Sequence, residues 1–281
     1  MPKPPARDPD LFAAPRAAGA SVRVGIGGWT YAPWRDNFYP SRLVQKRELE
    51  YASRAVTTLE VNGTYYGAQK PATYAKWRDE TPDGFVFALK APRYATERRV
   101  LADAGKVIDD FVHGGLAELG DRLGPINWQF GPAKAFDADD FAAFLDRLPR
   151  ELDGRALRHV VEVRHPSFQC SEYVTLARER RIATVFTDSP KHPSFADLTG
   201  DFAYARLMCS EPQVATGYAA AALDRWAARA EAWARGAEPD DLPRVLPAQA
   251  PSPPREVFVY FINGAKERAP HAAMALIERL R

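Results

Sequence analysis

The chain is short of the residue types from which many sites are built. Only two cysteines, Cys170 and Cys209, stand in 281 residues. Two make neither a disulfide framework nor a zinc-ligand spacing, so reduced thiols in a cytosol are expected. Histidine is scarce too, at five, fewer than a multi-zinc centre usually draws on. Net charge is nearly absent, with 38 Lys and Arg against 36 Asp and Glu. No global field for nucleic acid or membrane follows, and an anion has to be caught by a local cluster. No stretch approaches the roughly 20 apolar residues of a membrane span. Met1 to Ala20 is rich in Pro and Ala and lacks a continuous apolar run. It reads as a disordered N-terminal arm and not as a secretory signal. There is no Walker loop. Gly25-x-Gly27-Gly28 is followed by Trp29 instead of a helix-opening glycine, so it serves a backbone turn better than a dinucleotide.

What is present is alternation. Eight β-rich runs are legible: Val22 to Gly28, Thr57 to Asn62, Phe85 to Lys90, Pro125 to Phe130, His159 to Arg164, Ala183 to Asp188, Phe202 to Met208 and Glu256 to Asn263. Helical spacing separates them, over Asp103 to Leu119, Asp139 to Leu148, Ala219 to Ala234 and Ala269 to Leu280. Eight βα units predict a single TIM-type (β/α)8 barrel over residues 21–281. The sixth connection, Pro190 to Gly200, is too short and Pro-rich for a normal helix, so a missing or vestigial sixth helix is predicted. Gly236 to Arg255 carries six prolines and reads as an inserted loop, 236–255, at the amino-terminal face. Catalysis in such barrels sits at the opposite face.

Barrel strands point alternate side chains inward. Counting by twos aligns Glu60 with Asn62, Val86 and Ala88 with Lys90, Asn127 with Gln129, and Val160 and Glu162 with Arg164. It also aligns Thr184 and Phe186 with Asp188, Tyr204 and Arg206 with Met208, and Phe261 with Asn263. The polar members fall late in each strand. Lone charges among apolar neighbours are costly to bury unpaired, so a shared cavity at the carboxyl ends is predicted. Two readings remain open. One is a ligand site, with Glu60, Lys90, Glu162 and Asp188 as catalytic candidates. Trp29, Asn62, Tyr65, Gln129, Arg164, His165, Arg206 and Asn263 are then its substrate-binding candidates. The other is an ion-pair plug, with Glu60 on Lys90 and Asp188 or Glu162 on Arg206. Trp34, Phe38 and Tyr39 are read as packing for a long first loop.

Several chemistries compete for such a mouth. Glu162, Asp188 and His165 offer a thin metal-ligand set, and no metal or other cofactor is expected. Metal-independent acid–base catalysis fits better. Glu60 or Glu162 would be the base, Lys90 an anion stabiliser or Schiff-base amine, and Arg164 and Arg206 a clamp for carboxylate or phosphate. The partner is then a small anionic or polyhydroxylated ligand. A non-catalytic barrel for nucleic acid or a phosphorylated metabolite is the alternative. It rests on the basic stretch Arg93, Arg98, Arg99 and Lys106 beside rim aromatics. Cys209 ends a strand with no histidine beside it in sequence, a weak setting for a nucleophile.

The motifs also carry a family likeness. Gly25-Ile26-Gly27-Gly28-Trp29-Thr30-Tyr31, then Trp34 and Phe38-Tyr39-Pro40, resembles the opening of the YecE-like family, a domain of unknown function. Leu59-Glu60-Val61-Asn62-Gly63-Thr64-Tyr65-Tyr66, Thr81-Pro82-Asp83-Gly84-Phe85, Lys90-Ala91-Pro92-Arg93, Glu162-Val163-Arg164-His165-Pro166-Ser167-Phe168 and Tyr204-Ala205-Arg206-Leu207 continue it in order. The resemblance runs from Val22 to the end and implies a TIM-type barrel. Four positions depart from the pattern. Thr96-Glu97 stands for Thr-His, Gly131-Pro132 for Pro-Pro, and Arg206-Leu207-Met208-Cys209 for Arg-x-His-Gly. Asn263-Gly264 is all that remains of an Asn-rich turn. Two histidines of the pattern are thus replaced, which leaves a diverged, inactive member as a further alternative.

Overall fold

The computed structural model describes residues 22–250 and 252–281; the N-terminal arm lies outside them. Eight parallel strands close into one barrel, each strand beside its sequence neighbour and the last beside the first. They are β1 Val22–Gly27, β2 Thr58–Val61, β3 Val86–Lys90, β4 Leu123–Gln129, β5 His159–Glu162, β6 Ala183–Thr187, β7 Ala203–Leu207 and β8 Val257–Phe261. A two-residue antiparallel hairpin, Glu151–Leu152 with Arg155–Ala156, precedes β5. Between β3 and β4 the register shifts, so that Phe87 faces Leu123 while Leu89 faces Ile126. The extra residue falls at Gly124-Pro125, where proline has no N–H to give the ladder.

The outer layer is α1 Glu48–Ala55, α2 Pro71–Glu80, the one-turn α3 Arg93–Thr96, α4 Gly105–Val112, α5 Ala138–Leu145, α6 Ser171–Glu179, α7 Ala220–Ala234 and α8 Ala269–Arg279. Their starts follow local chemistry. Pro71 and Pro270 stand in first turns, where a missing N–H costs nothing. The Asp137 carboxylate accepts from the Asp140 amide, 2.9 Å, and caps α5. The helix predicted over Asp103 to Leu119 ends at Val112. Gly115 turns there with φ +126°, and a Cβ on it would lie 2.9 Å from the Pro71 Cα, so the close approach to α2 overrides the apolar period.

No helix follows β6. The connection from 188 to 202 instead lays Phe195, Ala196 and Leu198 into the outer core. The Pro-rich segment packs beside it. Pro243 O accepts from the Ala196 amide at 2.8 Å, and the buried Asp197 carboxylate accepts from the Val245 and Leu246 amides at 2.7 and 2.9 Å. Leu242, Val245 and Leu246 therefore cover core that a sixth helix would have covered. Among the described residues no helix is long and apolar enough to cross a membrane.

Two cores result. The outer one lies between sheet and helices. The inner one fills the barrel with Val86, Ala88, Val160, Ala183, Val185, Phe202, Tyr204, Phe258 and Tyr260. This corrects two alignments. On β6 the inward residues are Ala183 and Val185. Phe186 meets Trp226 and Trp233 of α7, and Thr184 bonds the Tyr173 hydroxyl of α6 at 2.9 Å. On β8 the inward residues are Phe258 and Tyr260, while Phe261 meets Tyr218 outside. A parallel barrel strand is apolar on both faces, so alternation there carries no sign of direction.

Candidate functional site

The floor of the mouth is a charged lattice built from strand ends. Arg206, at 2% exposure, sits at the centre. Its Nε and Nη2 donate to Glu60 Oε2 and Oε1 at 3.0 and 2.9 Å, and its Nη1 donates to Glu162 Oε2 at 2.6 Å. Tyr204 donates its hydroxyl to Glu60 Oε2, 2.7 Å. Arg164 Nε donates to Glu162 Oε1 at 2.7 Å and its Nη2 to Gln129 Oε1 at 2.8 Å. Asn127 Nδ2 reaches Glu162 Oε2 at 3.4 Å, and its buried Oδ1 has no hydrogen-bond partner.

Electrostatics follow from this wiring. Burial works against the Glu162 carboxylate, but Arg206, Arg164 and Lys90 outweigh it and hold its pKa at about 2. Burial likewise opposes the Arg206 charge, and Glu162 and Glu60 reverse that, raising it above the ordinary guanidinium value. Lys90 is different. It is buried at the end of β3, yet its ammonium makes no ion pair or hydrogen bond among the described residues. Its nearest partner is the Tyr65 ring, 4.5 Å from Nζ. Burial and Arg206 lower its pKa to about 8 against the pull of Glu162 and Glu60.

Above this floor opens a cavity of about 650 Å³, within the range of small-molecule sites. Gly27, Gly28, Trp29, Asn62, Lys90, Arg164, Arg206, Ile262, Asn263 and Lys266 contribute to its wall. Gly28, at φ +76°, turns the chain out of β1 while its amide donates to Glu60 O at 2.8 Å. Trp29 meets Trp77 and Phe87 edge-on at 5.2 and 6.2 Å. The first and last loops are stapled together. Trp34 Nε1 donates to Lys266 O at 2.9 Å, and Lys266 Nζ lies 4.6 Å over Tyr31. Trp34, Phe38 and Tyr39 are buried in that first loop.

The residues named from sequence thus divide. Glu60, Asn62, Lys90, Gln129, Glu162, Arg164 and Arg206 come together at the mouth, Trp29 and Asn263 line its wall, and Tyr65 stands over Lys90. Asp188 does not join them. Its carboxylate accepts from the Met208 amide and the Tyr218 hydroxyl, so it braces the outer side of β7. Of the two partners expected for Arg206, Glu162 pairs with it and Asp188 does not, and Glu60 pairs with Arg206 in place of the expected Lys90. His165 accepts from the Ser167 amide at 3.2 Å and caps a short turn. Glu60 accepts two bonds from Arg206 and one from the Tyr204 hydroxyl, and Arg206 gives its third bond to Glu162.

Sequence reading missed His192 and Lys266, while Tyr66, named with Tyr65 among the rim aromatics, lines the cavity. His192 is within electrostatic reach of Arg164, Glu162 and Arg206, and its Nδ1 has no partner. Its place four residues past Asp188, in the loop after β6, was the available signal. The basic stretch does not line the cavity. Arg93 lies over Tyr94 at 5.2 Å, and Lys106 pairs with Asp110 at 2.6 Å. Among the described residues no three His, Cys, Asp or Glu side chains gather as metal ligands.

A closed parallel eight-stranded barrel with a polar cavity at its carboxyl mouth defines a TIM-barrel protein. Residues 23–281 match the family described as protein of unknown function DUF72, and the chain belongs to it. It is 31% identical over 180 residues to the UPF0759 protein YecE of Escherichia coli K12, covering 61% of this chain and 61% of that protein. The aligned part is thus under two thirds of the relative's length. Among solved structures, a DUF72 protein of Thermotoga maritima is similar with a TM-score of 0.70 at 20% identity, covering 92% of this chain and 98% of that one. A GH18 chitinase of Chromobacterium violaceum superposes with a TM-score of 0.53 at 13% identity, covering 96% and 86%. At these identities the likeness is one of fold alone.

Proposed function

We propose that the mouth is the site of a metal-independent acid–base enzyme acting on a small anionic or polyhydroxylated substrate. One observation carries this reading. Three cations, Lys90, Arg164 and Arg206, face two carboxylates, Glu60 and Glu162, and the surplus charge sits on Lys90. With Asp188 elsewhere, the floor is net positive at a cavity of ligand size. Both carboxylates are spent on arginines, so neither is free to serve as a metal ligand. Arg164, part-exposed, and Lys90 then hold the substrate anion. Lys90 is the proton-exchanging group, while Glu60, Arg206 and Tyr204 keep the floor in register. Trp29 and the exposed Tyr66 offer faces to a sugar-like body. The two cysteines are free, which suits a reducing cytosol.

A thermal-shift screen of sugar phosphates and hydroxy or oxo acids tests this on wild type, Arg164→Gln and Lys90→Met. A ligand at about 100 times its Kd adds ~2.7 kcal/mol of stability, and both variants lose that gain. Equal shifts in all three proteins would move the ligand elsewhere. A hit with oligonucleotides alone that fades steeply with salt would replace the enzyme by a nucleic-acid barrel.

A further inference from the structure

We infer that Lys90 is a carbonyl-reactive amine, and that the substrate class of this mouth is a small aldehyde or 2-oxo acid captured as an imine. The inference rests on the anion site proposed above and adds the covalent step. Its ground is the placement of one side chain. Lys90 ends β3 and reaches the cavity wall, yet neither neighbouring carboxylate takes its ammonium. A lysine kept only for charge would be pulled into an ion pair, since an unpaired buried ammonium is costly. Here the two arginines occupy both carboxylates and hold them away from Lys90, so its nitrogen stays open to the cavity. Asn127, its register partner on β4, presents the unpartnered Oδ1. His192, in the loop after β6, lies within electrostatic reach of Arg164, Glu162 and Arg206, and its buried Nδ1 has no partner among the described residues.

The chemistry balances without an added oxidant or reductant. The neutral amine of Lys90 gives its lone pair to the carbonyl carbon, forming C–N while the π pair of C=O moves to oxygen. The oxygen takes a proton from water, and the nitrogen releases one to water. The carbinolamine hydroxyl then leaves as water after a second protonation, and the nitrogen lone pair closes C=N. Arg164 is placed for the carboxylate of a 2-oxo acid. The groups facing Lys90 set the pH at which the amine is free. They are Glu60 from β2, Tyr65 from the loop after it, Asn127 from β4, Glu162 and Arg164 from β5, and Arg206 from β7. With a pKa of about 8, roughly a quarter of this amine is free at pH 7.5, against about one part in a thousand for an ordinary lysine.

The test is reductive trapping on the full chain with two probes, glyoxylate and the uncharged propionaldehyde, each with cyanoborohydride, followed by peptide mapping. Lys90 is expected to label at least about tenfold faster than Lys46, Lys70, Lys76 or Lys266, and glyoxylate to outrun propionaldehyde. Lys90→Arg keeps the charge and is expected to lose the fast phase. The wild-type peptide map alone decides if that variant does not fold. Arg164→Gln is expected to remove the preference for glyoxylate, read as the ratio of the two Lys90 labelling rates within that variant, because its loss also shifts the amine reactivity common to both probes. Fast labelling of Lys90 without any Arg164-dependent preference sustains the amine and overturns the anion site beneath it. Labelling spread evenly over the lysines, while glyoxylate still stabilises the fold through Arg164, overturns the imine and leaves the anion site standing.

Discussion

Replacing Arg206 by methionine is expected to be the most damaging single change at the mouth. Arg206 makes three charge-assisted bonds, two to Glu60 and one to Glu162, inside the barrel. Glu162 keeps Arg164 when they are lost. Glu60 keeps only the Tyr204 hydroxyl, and so becomes a buried carboxylate without a cation. Breaking one side of a buried pair costs roughly 3–5 kcal/mol, and the stranding of Glu60 places this case near 4. For a domain of this size ~1 kcal/mol moves Tm by about 2–4 °C, so a fall of about 10 °C is expected in calorimetry or thermal circular dichroism. The partner change separates lost pairing from lost packing. Glu60→Gln in the Arg206→Met background removes the stranded charge and is expected to restore about half the loss. A single-variant cost under ~1 kcal/mol, or a double variant no more stable than the single, would refute the account of the floor as a coupled lattice.

Other perturbations have equally definite signs. Lys90 has its pKa lowered from 10.5 to about 8, so the unfolded chain binds the proton more readily. The charge therefore costs stability below pH 8 and the cost fades between pH 8 and 10.5. Lys90→Met is expected to gain up to about 3 kcal/mol at pH 7 and nothing above pH 10.5; equal Tm values at pH 7 would contradict it. Glu162 runs the other way. Its pKa falls from 4.5 to about 2, so its stabilisation is complete above pH 4.5 and is lost as pH falls toward 2. An acid titration of urea unfolding is expected to show about 3 kcal/mol less acid sensitivity in that window for Glu162→Gln. Asp197→Ala leaves the Val245 and Leu246 amides without their acceptor, at about 1–3 kcal/mol each if they stay buried. Limited proteolysis is expected to cut the variant within 237–250 faster than wild type.

The barrel was legible because eight short β-rich runs separated by helical spacing admit few other closures. The sixth connection was legible for a covalent reason, since its prolines and length forbid a full helix. Its substitute was not, because nothing local tells that Asp197 will hold the backbone of Val245 and Leu246, some fifty residues on. The end of α4 at Val112 is similar. The apolar period runs through Gly114-Gly115, and only the approach to Pro71 decides the break.

The site was legible where inward and outward faces differ in polarity and illegible where they do not. Glu60, Glu162, Arg164 and Arg206 stand among apolar neighbours of known parity, so their convergence follows from counting. Asp188 lies just past β6, whose two faces are Ala and Val inside against Thr and Phe outside, and no pattern marks which face it takes. Pair choice was illegible for another reason. Counting places Glu60 between Lys90 and Arg206 but says nothing of reach. A guanidinium can bond both carboxylates at once with its planar fork, which an ammonium does less well. The geometry follows that difference. Arg206 takes Glu60 and Glu162 together, and Lys90 is left as the open cation. The two carboxylates hold the floor, and the lysine they leave unpaired is the cation that lines the cavity.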